Sequence, residues 1–281
     1  MIGAYYCTGF FLIGLLTLRQ FAENTLLTAV PEADMHVVML FYIIVLTAGL
    51  FFSIEPIART AYIMLPFIVS GVLVVLLLLV PRYDILLMSP WQGAGLMKAM
   101  AGGLSLSGMA FGLWSVPILG RSFQNIRTMG LSVACGIGLA AGLRGLLVSC
   151  FLMTFGSSAG MEKVLPFFEL TRLVYASRYL QRIESLFILL WVIAGLICIL
   201  INFYVSLYLL TRLWRLPSMK PLIIPAMIII AQAAIRQEGL TDVILFHEQV
   251  ISRHIGGMIV IPAILAGAAL IRRRKKPCPS G

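Results

Sequence analysis

The chain has 281 residues, of which 60% are hydrophobic and only 11% charged, with a net charge of +10. Soluble domains carry ~25% charged residues, so a water-soluble fold is excluded. The apolar runs lack period-2 alternation, which excludes a closed β-barrel and leaves an all-α integral membrane protein.

Apolar windows near twenty residues match a hydrocarbon core of ~30 Å. They predict about eight transmembrane helices, at Ile2–Thr28, 37–53, 60–80, 99–119, 129–155, 185–210, 222–235 and 250–271. The first window starts almost at Met1 without a basic leader, so no cleavable signal peptide is expected. Residues 83–92 read as a surface piece with Trp91 as an interface anchor.

The fourth window concentrates Gly102, Gly103, Ser105, Ser107, Gly108 and Gly112 ahead of Pro117. Such a segment either unwinds at mid-membrane, where freed backbone groups must line a cavity, or packs closely through its glycines. The fifth window holds Gly138, Gly142 and Gly145 around Arg144. A mid-membrane arginine costs at least ~2.5 kcal/mol on insertion scales, so Arg144 is expected to face a partner or water. No acid inside another span is expected to pair with it.

The longest connection, 156–184, is crowded with Glu169, Arg172, Arg178, Arg182 and Glu184 just before the sixth window. Glu169 and Arg172 stand three residues apart, so an exposed helix with weak ion pairs is one reading. Phe167, Leu170, Leu173 and Val174 would form its apolar stripe. A gate or partner-docking face is the other reading. The seventh window is short, and 236–249 mixes charge with apolar residues as an interfacial helix would. Residues 1–271 therefore read as a single polytopic membrane domain and 272–281 as a basic tail.

Placing Met1 on the cytoplasmic side sends Arg59, Arg121, Arg127, Arg212, Arg215, Lys220 and the run at 272–276 inside, against the lone acid Glu55. Cations and acids nearly balance on the other side. This is the positive-inside pattern, with a cytoplasmic C-terminus. The basic charge faces anionic lipid rather than nucleic acid.

Catalytic chemistry finds no foothold. His247 and Glu248 lack a second histidine at zinc-protease spacing, and no Walker loop, nucleophile elbow or GxGxxG is present. The five cysteines show no metal or redox spacing. No enzymatic activity, metal or cofactor is expected.

Several short pieces in order resemble the spore germination permease family, the B-type membrane subunits of nutrient germinant receptors within the amino acid–polyamine–organocation superfamily. Leu18-Arg19-Gln20-Phe21 is similar to its Leu-Arg-Glu-Phe, with Gln20 in place of Glu. Ile57-Ala58-Arg59-Thr60-Ala61, followed by Pro66, is similar to an Ile-Ala-Arg-Thr-Ala loop. Pro166 to Arg172 resembles Pro-x-x-Glu-Leu-x-Arg, and Leu180, Arg182, Glu184, Leu186, Phe187 and Trp191 fit the start of a long helix.

The resemblance implies an inverted-repeat amino acid transporter fold of which this sequence covers helices three to ten, apparently without the first two. The fourth window would then be the discontinuous sixth helix, with Ser105, Ser107, Gly108 and Phe111 as ligand-binding residues. Arg182, Glu184, Arg144, Glu169 and Arg172 become gate or structural candidates. The implied function is sensing of an amino acid or similar small nutrient, in the spore inner membrane, together with A-type and C-type receptor subunits. An amino acid transporter, or a truncated, non-binding structural partner, is the alternative.

Overall fold

The computed structural model describes residues 2–89, 111–120, 125–163, 165–174 and 183–236, with isolated positions at 95, 97–98, 100, 102 and 264. Eight α-helices lie among them: α1 Ile2–Thr28, α2 Met35–Leu50, α3 Ile54–Leu78, α4 Phe111–Ile118, α5 Ile126–Gly160, α6 Pro166–Arg172, α7 Ile183–Leu213 and α8 Lys220–Ile235. No strand occurs among the described residues. The protein is an all-α membrane protein, and four helices are long and apolar enough to cross a bilayer: α1, α3, and nearly all of α5 and α7. α2 and α8 have 16 residues each. At 1.5 Å per residue they reach about 24 Å, short of the ~30 Å core.

α1 and α7 form an antiparallel pair that organises the rest. Lipid tails are as apolar as leucine, so helices associate through close packing and hydrogen bonds rather than through exclusion of water. Glycine notches provide the packing. A Cβ on Gly14 would lie 2.7 Å from Phe203 of α7, and one on Gly195 of α7 would overlap the ring of Phe21. Phe21 then stacks on Trp191, with ring centroids 4.5 Å apart. Further along the seam, Ser206 Oγ donates to the carbonyl of Cys7 at 3.0 Å, and Cys7 Sγ to the carbonyl of Ser206 at 3.4 Å.

α2 and α8 close one side of this pair. Leu15, Leu18, Ala22, Tyr42, Leu46, Ile199, Phe203, Met227 and Ile230 share one core, and the Thr25 and Tyr42 hydroxyls meet at 2.8 Å within it. Asp34 caps α2 by accepting from the His36 backbone N–H at 2.9 Å and facing His36 Nδ1 at 2.8 Å. The backbone N–H, then the ring, hold the Asp34 carboxyl below the ordinary carboxylate value. A second core joins Val75 and Leu76 of α3 and Leu79 just past its end to Cys150 of α5, Leu170 of α6 and Val174.

The element boundaries compare with the sequence expectation as follows. Ile57-Ala58-Arg59-Thr60-Ala61 is helical within α3 rather than a loop, with Arg59 and Glu55 paired at 2.5 Å one turn apart. The fifth window ends where expected: Gly156, at φ +72°, breaks α5 just past Phe155. That left-handed conformation strains any residue carrying a Cβ. Within the fourth window the described helix is α4, whose Trp114 packs with Ile13 of α1. The spans at 222–235 and 185–210 extend slightly, to α8 and α7, whereas the last span and the tail lie outside the described residues.

Candidate functional site

α1 carries the least expected chemistry of the chain. Arg19, Glu23 and Asn24 sit inside this apolar helix at 7%, 8% and 4% exposure. Arg19 Nη2 donates to Glu23 Oε1 at 2.6 Å, one turn apart. Arg19 Nε, Glu23 Oε2 and Asn24 Oδ1 have no hydrogen-bond partner among the described residues. An unsatisfied buried polar group costs ~1–3 kcal/mol, so three of them are a real burden on the fold.

Beside this cluster the end of α1 borders two cavities. The inner chamber, about 380 Å³, is walled by Gln20, Asn24 and Thr28, successive turns of one α1 face. Opposite stand Ile68 and Val72 of α3, Leu147 of α5, Phe167 and Phe168 of α6, and Phe187, Leu190, Trp191 and Ala194 of α7. Phe167 and Phe187 meet edge to face with centroids 4.4 Å apart. The outer cavity, about 430 Å³, is bordered by Leu27, Thr28, Ala29, Phe168, Arg172, Glu184, Ser185 and Ile188. Thr28, Phe168 and Ile188 line both spaces, so the charged cavity is the mouth of the aromatic one.

α6 builds this corner because its sequence does. Pro166 starts the helix, Leu170 is buried in the core it shares with α3 and α5, Thr171 is buried too, and Phe167 and Phe168 turn towards α7. The apolar stripe read from the sequence is thus the packed face. Glu169 and Arg172 do not pair within 4 Å; the Arg172 guanidinium instead lies 5.8 Å from the Phe168 ring centroid, a cation–π contact.

The other sequence candidates fall as follows. Ser105, Ser107, Gly108 and Arg182 lie outside the described residues, and Phe111 opens α4 with its side chain outside them. Glu184, in the first turn of α7, reaches the mouth. Arg144 is exposed on α5, whose flank from Arg127 to Leu146 is turned outwards among the described residues. The expectation that no other span holds an acid is corrected by Glu23, which is buried within α1 and taken by Arg19. Hydropathy alone does not reveal the buried cluster, because it cannot say which side of a helix is packed. The available signal was the spacing, a charge pair at i and i+4 inside a 27-residue apolar helix.

A helical membrane protein with a polar strip facing an internal chamber is the class that fold and site define. A family model described as spore germination protein matches residues 1–243, and the chain belongs to this spore permease family. Its members are of membrane permease or receptor type, and they are generally part of germinant receptor complexes. No curated protein and no solved structure matches the chain.

Proposed function

We propose that this germination protein is the B-type membrane subunit of a nutrient germinant receptor, responding to an amino acid or similar small nutrient alongside A-type and C-type subunits. The observation that carries the reading is the partly unsatisfied Arg19–Glu23–Asn24 cluster beside an open chamber. A purely structural subunit gains nothing from three polar atoms in an apolar helix that have no partner among the described residues. Ionisable residues at such depth mark function by default. Ligand binding would shift the bundle by its differential affinity for two arrangements.

The chain is multi-pass in the spore inner membrane on this reading, with the mouth on the outer face and the C-terminus cytoplasmic. Ser105, Ser107, Gly108 and Phe111 contribute ligand contacts along a broken fourth helix. Arg182 and Glu184 act at the gate, while Glu169, Arg172 and Arg144 support it. The test is deletion of the gene in a spore former, followed by germination in single amino acids. Loss of response to one nutrient, restored by the gene in trans, is expected. An unchanged profile in spores known to make the transcript overturns it. Uptake of labelled amino acid by proteoliposomes holding the chain alone would favour a transporter instead.

A further inference from the structure

We infer that the α7–α8 turn is a binding site for an anionic phospholipid, its headgroup held by Arg212, Arg215 and Lys220 and its acyl chains lying along the exposed face of α8. The site is at the pole opposite the chamber and does not depend on the receptor reading. A positive-inside pattern is spread over many residues and asks for no particular place. This turn is a particular place. Three cations and Trp214 fall within nine residues, and no acid occurs from Ser185 to Arg236. All four side chains are exposed, Trp214 at 62%. By contrast, Arg59 of α3 is already taken by Glu55.

Local geometry places each cation. Arg212 reaches back one turn along α7 and donates to the Tyr208 hydroxyl at 3.1 Å, its guanidinium carbon 5.3 Å from the ring centroid. The tyrosine occupies one N–H group, and the rest of the planar fork matches phosphate oxygens. Arg215 follows α7 at φ +53°, the one non-glycine residue with positive φ among the described residues. Its N–H meets the Arg212 carbonyl at 3.4 Å, and the Leu216 N–H meets the Thr211 carbonyl at 2.9 Å. These are the paired bonds of a helix end that ordinarily carries glycine. An arginine there strains a backbone that glycine would leave relaxed. A charge wanted at the water–lipid boundary accounts for it.

The apolar half of the site belongs to α8. Lys220 opens that helix, and Ile224 and Ile228 follow one and two turns later on the same face, 55% and 59% exposed. A cation above two exposed isoleucines repeats the order of a phospholipid, charge at the boundary and hydrocarbon beneath. Trp214 is the residue type that settles at that boundary. Free phosphate would meet the cations and leave the isoleucines unused. A zwitterionic lipid would cover the isoleucines but bring its own cation to the turn.

The experiment uses the full chain in detergent, with phosphatidylglycerol carrying a fluorescent acyl chain as the probe. Phosphatidylglycerol should bind at least about fivefold more tightly than phosphatidylcholine, and more weakly as salt is raised. Inorganic phosphate should not displace it. Arg212→Gln, Arg215→Gly and Lys220→Gln should each weaken binding by about fivefold. A cation also favours a helix C-terminus whatever the lipid, so melting separates the two roles of Arg215. Arg215→Gly should melt in phosphatidylcholine at or above the wild-type temperature and lose most of the increment that phosphatidylglycerol adds to the wild type. Lys275→Gln with Lys276→Gln should keep that increment. Equal binding of the two lipids overturns the site, as does wild-type affinity in both Arg215→Gly and Lys220→Gln, displacement by phosphate alone, or loss of the increment only in the tail variant.

Discussion

Arg19 and Glu23 illustrate how a residue pair can be both necessary and unfavourable. In a low-dielectric helix bundle each charge loses hydration, and their mutual contact at 2.6 Å offsets only part of that loss. Removing one partner strands the other. Arg19→Met is therefore expected to destabilise by ~3–5 kcal/mol, and Glu23→Leu by a similar amount, in a detergent unfolding titration. The double variant should cost far less than the two singles together, since it replaces two buried charges with packed apolar groups. Additive losses would show that the pair does not act as a unit. At this scale the sequence was half legible. Leu18-Arg19-Gln20-Phe21 stood out as a family piece, but the structure supplies its four roles. Leu18 is in the core, Arg19 holds Glu23, Gln20 lines the chamber, and Phe21 fills the Gly195 notch. Four consecutive residues point in four directions around a helix, and no periodicity assigns those directions to neighbours.

Between elements, the α1–α7 seam decides the geometry of the chamber. Gly195 admits Phe21, Phe21 stacks on Trp191, and Trp191 forms part of the chamber wall. A side chain at Gly195 must therefore push Phe21 aside. Gly195→Leu is expected to lower stability by ~1–3 kcal/mol, the usual scale of overpacking. Phe21→Ala combined with Gly195→Leu should recover most of the stability, because the volume is returned to the same notch. Detergent melting of the two single variants and the double checks this; a double variant no more stable than Gly195→Leu alone would remove the seam from the explanation. The helices themselves were legible as apolar windows, and α1 matches its window residue for residue. Their partners were not. Lipid-facing and helix-facing positions are equally apolar here, so the pattern that locates a buried face in a soluble helix carries little contrast. The exception is α6, where Phe167 and Leu170, with Val174 just beyond it, alternate with Glu169 and Arg172, so its packed face was readable in advance.

At the scale of the whole molecule, the antiparallel α1–α7 pair brings the end of α1 and the start of α7 to the same side. Leu27 and Thr28 therefore meet Glu184 and Ser185 at the mouth. α6 and the later turns of α3 and α5 reach that end too, through Phe168, Val72 and Leu147. Everything the chamber needs is gathered at one pole. The cation-rich segments fall at the other, since Arg59 is in the first turns of α3, Arg127 begins α5 and Arg212 ends α7. Cations are retained on the cytoplasmic side of short membrane connections, while acids contribute little to orientation. The geometry and the charge distribution thus make one orientation testable with two reporters. Alkaline phosphatase inserted after Lys163 should be active, because that turn lies beside α6 at the mouth pole. A fluorescent protein fused beyond Gly281 should fold and emit if, as proposed, the C-terminus is cytoplasmic, the side that the positive-inside pattern assigns to the basic run at 272–276. Active phosphatase together with a dark C-terminal fusion would place the C-terminus outside with the mouth and remove the positive-inside argument for the tail. Inactive phosphatase with a bright fusion would turn the mouth to the cytoplasm, where an external nutrient cannot reach Arg172 and Glu184. The orientation therefore governs more than topology: the proposed nutrient-receptor reading requires a mouth open to the outer face.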